Sequence, residues 1–335
     1  MGIRPGRVPY PSIRATHLKK SNYTWVLLKP IMNTLRFCCF TLALLCFGDA
    51  RSQETRTPVC PRDGESFAAV QRKVKAHDPA AETALASCYD LGLHVKADGK
   101  ESLRWLNEAA SQGYAPAEYE LGRVYLYGRG VPADYAKALL WERKAAEQAD
   151  PRAQRDLAFI YERGLGVPAD PAQAAEWNRK AAAQGYAEAQ LHLARALDEG
   201  TGTSKDPEEA RVWYAKAARQ EQPAAQLELA RKFAGQGNCP LAVHWYEEAA
   251  EHGQVEAMHE LGRLYAGSKC GVDKAWAFTW FTIGGKFGSE ESRKEAARLT
   301  NGLSRAEKKR AQLRAAKWIK EHPGSDKEED EEEKH

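Results

Sequence analysis

Tryptophan recurs at a nearly constant interval through this chain of 335 residues. Successive members of the series are 36, 36, 36, 32 and 35 residues apart. An alanine series runs beside it at intervals of 36, 36, 36, 36 and 32 residues. Two markers that keep one period indicate a tandem array of stacked supersecondary units. The tryptophans are Trp105, Trp141, Trp177, Trp213, Trp245 and Trp280, and the alanines are Ala81, Ala117, Ala153, Ala189, Ala225 and Ala257.

Each unit contains two helical patterns separated by a glycine loop. In the unit that begins at Ala117, Leu121 and Tyr125 follow the spacing of one helix face. Gly128 suits a left-handed helix end, and the second helix starts at Asp134, a good N-cap. Alanine pairs in the second helices allow close helix approach, and we interpret the tryptophans as core residues that fill the space beside them. The pairs begin at Ala109, Ala145, Ala181, Ala217 and Ala249.

The repeated residues form a recognisable motif, which is most complete in the third unit. That unit contains Ala153, Leu157, Ala158, Tyr161, Gly164, Gly166, Val167, Asp170, Ala174, Trp177, Lys180, Ala181, Ala182, Gln184 and Gly185. The motif resembles the Sel-one-like repeat, a relative of the tetratricopeptide repeat, in six units over residues 81–288. This resemblance implies an all-α fold: a right-handed α–α superhelix (solenoid) of six helical hairpins with terminal capping helices. It also implies that the first helix of each hairpin lines a concave surface.

The two ends of the chain differ in composition from the repeats. Residues 1–50 are predicted to be a leader in which a basic start and a short apolar stretch precede a cut after Ala50, with translation starting at Met32. The stretch is too short to span a bilayer, so we expect no transmembrane anchor in the mature chain. We predict that the signal peptide, about 32–50, sends the product to the periplasm or outside the cell; an organelle transit peptide is the alternative.

The rest of the chain outside the repeats is predicted to cap the array or to be disordered. Residues 51–80 are assigned to a linker and a capping helix, 289–322 to capping helices, and 323–335 to a disordered acidic tail. The formal net charge is +3, but residues 51–335 carry 42 basic and 45 acidic side chains and a charge of −3. The net positive charge of the whole chain therefore comes from the leader, and we expect no nucleic-acid partner.

Four of the seven cysteines remain in the mature chain, and an even number in an exported protein favours disulfides. Three pairings are possible. We favour Cys60 with Cys88, at the first repeat, and Cys239 with Cys270, in near-equivalent loops of adjacent repeats. Four free thiols are the alternative.

The sequence gives little support to catalysis. The histidines are scattered and form no pair at the spacing of a metal-binding helix, so we expect no metal site and no cofactor. The resemblance does raise one enzymatic alternative, because some cysteine-rich members of the family have been associated with β-lactam binding or hydrolysis. The mature chain has no Ser-x-x-Lys string to supply the serine nucleophile of such hydrolases.

A binding surface is predicted from the helix faces that point away from the core. With the opening alanine of each first helix as position 0, the core occupies positions 0, +1, +4, +5 and +8, and positions +2, +6 and +9 are predicted to face the groove. Guanidinium groups bind carboxylates through paired hydrogen bonds, so an arginine ladder suits an anionic peptide segment. The candidate residues are Tyr119, Arg123, Arg155, Phe159, Arg195, Arg231 and Arg263.

A second interpretation of the arginines stays open. Glutamates precede three of them by three residues, which is the spacing of ordinary surface ion pairs. The pairs would be Glu120 with Arg123, Glu228 with Arg231, and Glu260 with Arg263. We therefore predict an exported, monomeric, non-catalytic scaffold that binds a protein or peptide along its concave face, with a cell-envelope enzyme as the alternative.

Overall fold

The computed structural model describes residues 57–267 and 270–323. The predicted leader, and the predicted acidic tail apart from Pro323, lie outside these residues. The described part contains fifteen helices and no strand. The helices are α1 (Gly64–Val74), α2 (Pro79–Leu91), α3 (Gly99–Ser111), α4 (Ala115–Tyr127), α5 (Tyr135–Glu147), α6 (Pro151–Arg163), α7 (Pro171–Ala183), α8 (Ala187–Glu199), α9 (Pro207–Ala218), α10 (Pro223–Gly235), α11 (Cys239–Glu251), α12 (Val255–Ala266), α13 (Lys274–Lys286), α14 (Glu290–Thr300) and α15 (Arg305–Glu321).

Helices α2 to α13 form six hairpins, and each hairpin packs on the next. The first helices of the hairpins are α2, α4, α6, α8, α10 and α12, and each packs most extensively on the second helix that follows it. Each second helix also contacts the first helix of the next hairpin. This arrangement confirms the predicted all-α solenoid. At its ends, α1 packs on α2, while α14 and α15 pack on α13.

Aspartate N-caps begin eight of the fifteen described helices, and glycine C-caps follow five of the six first helices. Asp150, for example, accepts hydrogen bonds from the backbone N–H groups of Arg152 and Ala153, and Pro151 occupies the first turn, where its missing N–H costs nothing. Helix α6 ends at Arg163, and its C-cap Gly164 has a φ of 67°, the left-handed conformation that glycine adopts without strain. Local sequence therefore specifies where these helices begin and end, and the stacking of repeats determines how the helices are arranged.

The alanine pairs are buried as predicted, but most of the tryptophans are not fully buried. Every alanine of the five pairs is at most 2 % exposed. Trp280 is 3 % exposed, whereas the other five repeat tryptophans are half-buried at the edges of the core clusters. The residue after each tryptophan is the one that the core encloses; Tyr214 and Phe281, for example, are each 2 % exposed.

A basic side chain covers several of the half-buried tryptophans. Lys180 lies 3.7 Å from the centroid of the Trp177 ring, and Lys216 lies 3.6 Å from that of Trp213. The ring thus packs against the core at one side and receives a cation at the other, an arrangement that cation–π attraction favours. The helical period correctly predicted that the tryptophans lie on the core-facing side of the second helices. It did not distinguish the edge of the core from its centre.

The amphipathic pattern of the C-terminal capping segment predicts a break near Asn301 and Gly302, with Leu303 and Leu313 among the buried residues. The break is present between α14 and α15. Of the expected buried residues, Leu303 is 9 % exposed, but Leu313 is 62 % exposed and this part of the prediction was wrong. Ala311 and Ala315 are buried instead, so the face of α15 that meets α13 carries small residues.

Both predicted disulfides are present. Cys60 is bonded to Cys88 of α2, with their Cα atoms 4.8 Å apart. Cys239, at the start of α11, is bonded to Cys270, with a Cα–Cα distance of 5.5 Å. One bridge therefore attaches the segment before α1 to the first repeat, and the other joins the fifth and sixth repeats.

Candidate functional site

The side chains that face away from the core lie at positions +3 and +6 of the first helices. At about 100° per residue, the predicted core positions centre near 70° on the helical wheel and the opposite direction near 250°. Position +6 lies at about 240° and position +3 at about 300°, whereas position +2 lies near 200°. We call the surface formed by positions +3 and +6 the first-helix face.

The prediction that position +2 faces this surface was wrong. Tyr119 and Arg155, both included in the predicted site, are 7 % and 5 % exposed. Tyr119 packs with Ala145 of its own second helix and with Leu157 of the next first helix. A first helix in a stack is covered on its flank by the following repeat, so its buried arc is wider than that of a helix lying on a globular surface.

In the last two repeats, the arginines at position +6 are paired with acidic residues. Arg231 binds Glu228 of its own helix at 2.9 Å and also Glu256 of the next first helix. Arg263 binds Glu260 at 3.0 Å. The surface-pair interpretation is therefore correct for these two arginines, whose charge is already balanced.

Arg123 and Arg195 differ from this pattern. Glu120 does not pair with Arg123; it accepts a hydrogen bond from Arg129 at 3.2 Å. The Arg123 guanidinium instead lies 5.6 Å from the centroids of both the Tyr119 and Tyr127 rings. Neither Arg123 nor Arg195 forms an ion pair with any residue that the structure describes. Both side chains are half-buried, so each guanidinium group is held on a partly fixed stem. The charges of Glu120 and Asp156 act on Arg123 without forming an ion pair with it.

Phe159 occupies the same position +6 in the repeat between these two arginines. Its ring is half-buried, with the Arg155 and Arg163 guanidinium groups 6.0 and 5.8 Å from its centroid. The second, third and fourth repeats therefore present an arginine, a phenylalanine and an arginine at equivalent positions. We call this set, Arg123, Phe159 and Arg195, the central row.

Two carboxyl groups lie close to the central row, and one of them, Asp156, occupies position +3 of the third repeat. Glu142, the residue after Trp141, is fully buried with no hydrogen-bond partner for either oxygen among the described residues. It fills the space beside Gly122, where an added Cβ would lie 2.5 Å from its Oε1. Burial, together with the charge of Asp156, raises the pKa of Glu142 well above its ordinary value. Burial also raises the pKa of Asp156 to about 6, against the opposing charges of Arg123 and Arg155.

Arg155 is the centre of a second polar cluster in the stack. Its Nη2 lies 2.8 Å from His192 Nε2, and its Nε lies 3.2 Å from Glu188 Oε1. His192 Nδ1 lies 3.5 Å from Glu162, which also accepts a hydrogen bond from Asn178. These contacts join the third and fourth repeats, and they make Arg155 a positioning residue for neighbouring side chains more than an open contact point.

Arg152 is a surface residue that the sequence prediction missed. It lies just before position 0 of the third repeat, where the helical wheel places it near 260°, in the middle of the exposed arc. Both oxygens of Asp150 hold its guanidinium group, at 3.1 and 2.6 Å, and the group lies 4.3 Å from the centroid of the Tyr119 ring. It also donates to Thr57 at 2.7 Å. A helical wheel centred on the direction opposite the core would have identified Arg152 as exposed. Its contact with Thr57 could not be predicted in this way, because Thr57 lies outside the repeats.

No cluster of three or more potential metal ligands occurs among residues 57–267 and 270–323. Within the same ranges, no helix has both the length and the apolar composition needed to cross a membrane.

Comparisons with known proteins agree with the repeat boundaries. The family model for the Sel1 repeat matches residues 79–114, 115–150, 151–186, 187–221, 223–254 and 255–283, more than half of the chain. No curated protein sequence matches the chain.

Several solved structures are similar. A Sel1 repeat protein from Oxalobacter formigenes is 26% identical with a TM-score of 0.54, and the match covers 71% of this chain and 98% of that one. A protective antigen of uropathogenic Escherichia coli with an SLR fold is 23% identical with a TM-score of 0.49, and the match covers 77% and 80%. The immunity protein Pa5087 from Pseudomonas aeruginosa is 19% identical with a TM-score of 0.37, over 72% and 84%.

Proposed function

The chain belongs to the Sel1 repeat family, and from this premise we propose that it is an exported scaffold that binds a protein or peptide partner. We assign the partner to the first-helix face, at the central row. The proposal concerns binding only, and it commits to a partner segment that carries carboxylate groups on either side of an apolar side chain.

The state of the arginines is the observation that carries this proposal. Arg231 and Arg263 form ion pairs with glutamates, while neither Arg123 nor Arg195 forms an ion pair with a described residue. An incoming carboxylate would therefore gain a charge-assisted hydrogen bond at Arg123 or Arg195 without first breaking an ion pair. Phe159 between them offers the apolar contact that an extended segment needs.

The two disulfides support export. Cys60–Cys88 and Cys239–Cys270 account for all four cysteines of the described part. Structural disulfides are typical of oxidising compartments such as the periplasm and the extracellular space. This agrees with the leader predicted from residues 1–50.

A paired capture experiment tests the proposal. Mature protein, residues 51–335, is used to capture partners from an extract of its source, beside the double variant Arg123→Glu, Arg195→Glu. A matched double variant, Arg219→Glu and Arg298→Glu, makes the same charge change at exposed positions away from the central row. We expect a stoichiometric partner that the wild type and the matched control retain and the central-row variant loses.

Two outcomes would contradict this proposal. A partner that is indifferent to the central-row reversal would place binding elsewhere on the molecule. Turnover of a chromogenic β-lactam by the purified protein, abolished by a single substitution, would favour the enzymatic alternative instead.

A further inference from the structure

Helix α15 packs on α13, the second helix of the last repeat, and leaves its other side in solvent. Ala311 and Ala315 are buried where the two helices meet, whereas Leu313 is 62 % exposed. At about 100° per residue, Leu313 lies about 160° from each of these alanines and so points away from the repeats. Packing within the described part of the chain therefore does not account for this leucine.

Basic side chains surround Leu313 on the exposed side of α15. Four of them lie within about 60° of Leu313 on the helical wheel, and all four are exposed. Three of the four form no ion pair with a described residue; only Lys317 does, with Glu321 at 3.8 Å. We call this set, with Leu313, the α15 face. The four basic residues are Lys309, Arg310, Lys317 and Lys320.

A hollow between α13 and α15 adjoins this face and extends it. The hollow has a volume of about 590 Å³ and is lined by Asp273, Ala275, Glu307, Arg310, Leu313 and Arg314. Both of its carboxylates are engaged in helix capping, Asp273 at the start of α13 and Glu307 in the capping box of α15. Beyond Arg314, whose guanidinium lies 4.2 Å from the centroid of the Trp276 ring, that tryptophan is 36 % exposed.

From this arrangement we propose that the α15 face binds the surface of an anionic lipid bilayer. Leu313 enters the boundary between headgroups and acyl chains, and the basic side chains around it contact headgroup phosphates. A helix that carries cations beside an exposed apolar residue has the chemistry of an interfacial helix. Lysine and arginine are attracted to anionic headgroups, and a tryptophan such as Trp276 suits the headgroup level.

A bilayer fits the α15 face better than an acidic peptide does. The cations are distributed around Leu313 on the convex surface of a helix, and a broad anionic surface meets all four of them at once. This surface belongs to the C-terminal cap, whereas the central row belongs to the second, third and fourth repeats. The proposal therefore goes beyond the proposed function, and either can fail without the other.

Co-sedimentation of the mature protein, residues 51–335, with lipid vesicles tests the proposal. One set of vesicles contains phosphatidylglycerol and phosphatidylcholine in equal parts, and the other contains phosphatidylcholine alone. We expect binding to the anionic vesicles that weakens as salt is added, and binding to the neutral vesicles that is weaker by about tenfold or more. Equal affinity for the two kinds of vesicle, or no binding to either, would overturn the proposal.

A matched pair of charge variants locates the binding surface. Lys309→Gln with Lys320→Gln removes two of the four cations and should weaken binding to the anionic vesicles about tenfold or more. Lys73→Gln with Lys75→Gln makes the same change of net charge at exposed positions at the end of α1, beside the first repeat. An equal loss of affinity in both double variants would show that the α15 face is not the binding surface.

A second pair of variants tests the apolar contact. Leu313→Ser should weaken binding about fivefold or more, because a leucine side chain is then no longer withdrawn from water. Leu140→Ser, at an exposed position of α5, is the control and should bind as the wild type does. An unchanged affinity of Leu313→Ser would contradict insertion and leave a contact made by charge alone, as an acidic peptide would make it.

The acidic tail is the competing occupant of the α15 face. Residues 326–335 follow α15 in the sequence and carry seven acidic and two basic side chains. A chain that ends at Pro323 is therefore compared with the mature protein in the same assay. Binding by the shortened chain alone would show that the tail takes the place of lipid on this face, and it would overturn the proposal.

Discussion

The amide of Gln148 donates a 2.6 Å hydrogen bond to the buried carboxylate of Glu118, and so ties the end of a second helix to the first helix of the same repeat. The same contact recurs at a separation of 30 residues in four repeats. Position +1, which the helical period assigned to the core, is therefore buried but polar in five of the six repeats. The pairs are Gln112–Glu82 (2.7 Å), Gln148–Glu118 (2.6 Å), Gln184–Gln154 (2.9 Å) and Gln220–Gln190 (2.9 Å).

Removing one of these glutamines should destabilise the stack. Gln148→Ala leaves the Glu118 carboxylate, 3 % exposed, without its side-chain donor. An unsatisfied buried polar group costs about 1–3 kcal/mol, so the free energy of unfolding in urea should fall by that amount. Gln173→Ala, at an exposed position of α7, is the control and should change it little. Equal effects of the two substitutions would show that the hydrogen bond from Gln148 to Glu118 does not contribute to the free energy of unfolding.

The buried carboxyl of Glu142 should make stability depend on pH. Because its pKa is higher in the folded than in the unfolded state, folding favours the protonated form. Stability should therefore fall as pH rises above about 4.5, the unfolded value, towards the folded pKa. Asp156 contributes in the same direction between 3.8 and about 6.

Glu142→Gln should weaken this dependence. We expect the variant to lose less unfolding free energy than the wild type between pH 5 and pH 8, as measured by urea titration at both values. Glu147→Gln, at an exposed site on the same helix, should keep the wild-type difference. If Glu142→Gln keeps it as well, Glu142 is not the group whose titration matters.

The half-buried tryptophans should contribute less to stability than the residues that follow them. Phe281→Ala removes a ring that is 2 % exposed and should cost about 3–5 kcal/mol. Trp177→Ala should cost less, since one side of the ring already faces Lys180 and solvent. Thermal unfolding measures the stability of both variants. A larger loss of stability from Trp177→Ala than from Phe281→Ala would contradict this prediction.

Each disulfide should stabilise the fold to a similar extent. The bridges close segments of 28 and 31 residues, and loops of this size are typically worth about 2–4 kcal/mol. Replacing Cys60 and Cys88 together by alanine, or Cys239 and Cys270 together, should lower the unfolding free energy by that amount. A variant pair as stable as the wild type would show that its bridge adds nothing to the folded state.

The architecture could be predicted from the sequence because the repeat imposes the same local rules six times. Aspartate N-caps, glycine C-caps and alanine pairs each specify a helix end or a close contact, and all of them agree with the fold. The disulfide pairs followed for a related reason. Cys239 and Cys270 occupy adjacent repeats, so stacking brings them together.

The candidate site was harder to predict because it depends on differences between repeats. The spacing of Glu120 and Arg123 equals that of Glu228 and Arg231, yet only the second pair forms. Glu120 instead bonds to Arg129 and Thr57, and these contacts arise from a loop and from the N-terminal segment. Likewise, the burial of Arg155 follows from the neighbouring repeat, which a single-helix wheel does not contain.

Site-specific cross-linking from the central row tests the central claim most directly. A photoreactive benzophenone amino acid replaces Phe159 in the protein expressed in its source cells, and in a parallel strain it replaces Leu140, which is 51% exposed on a second helix. We predict one protein adduct from position 159, which Arg195→Glu abolishes, and none from position 140. Adducts from position 140 alone, or equal adducts from both positions, would contradict binding at the first-helix face.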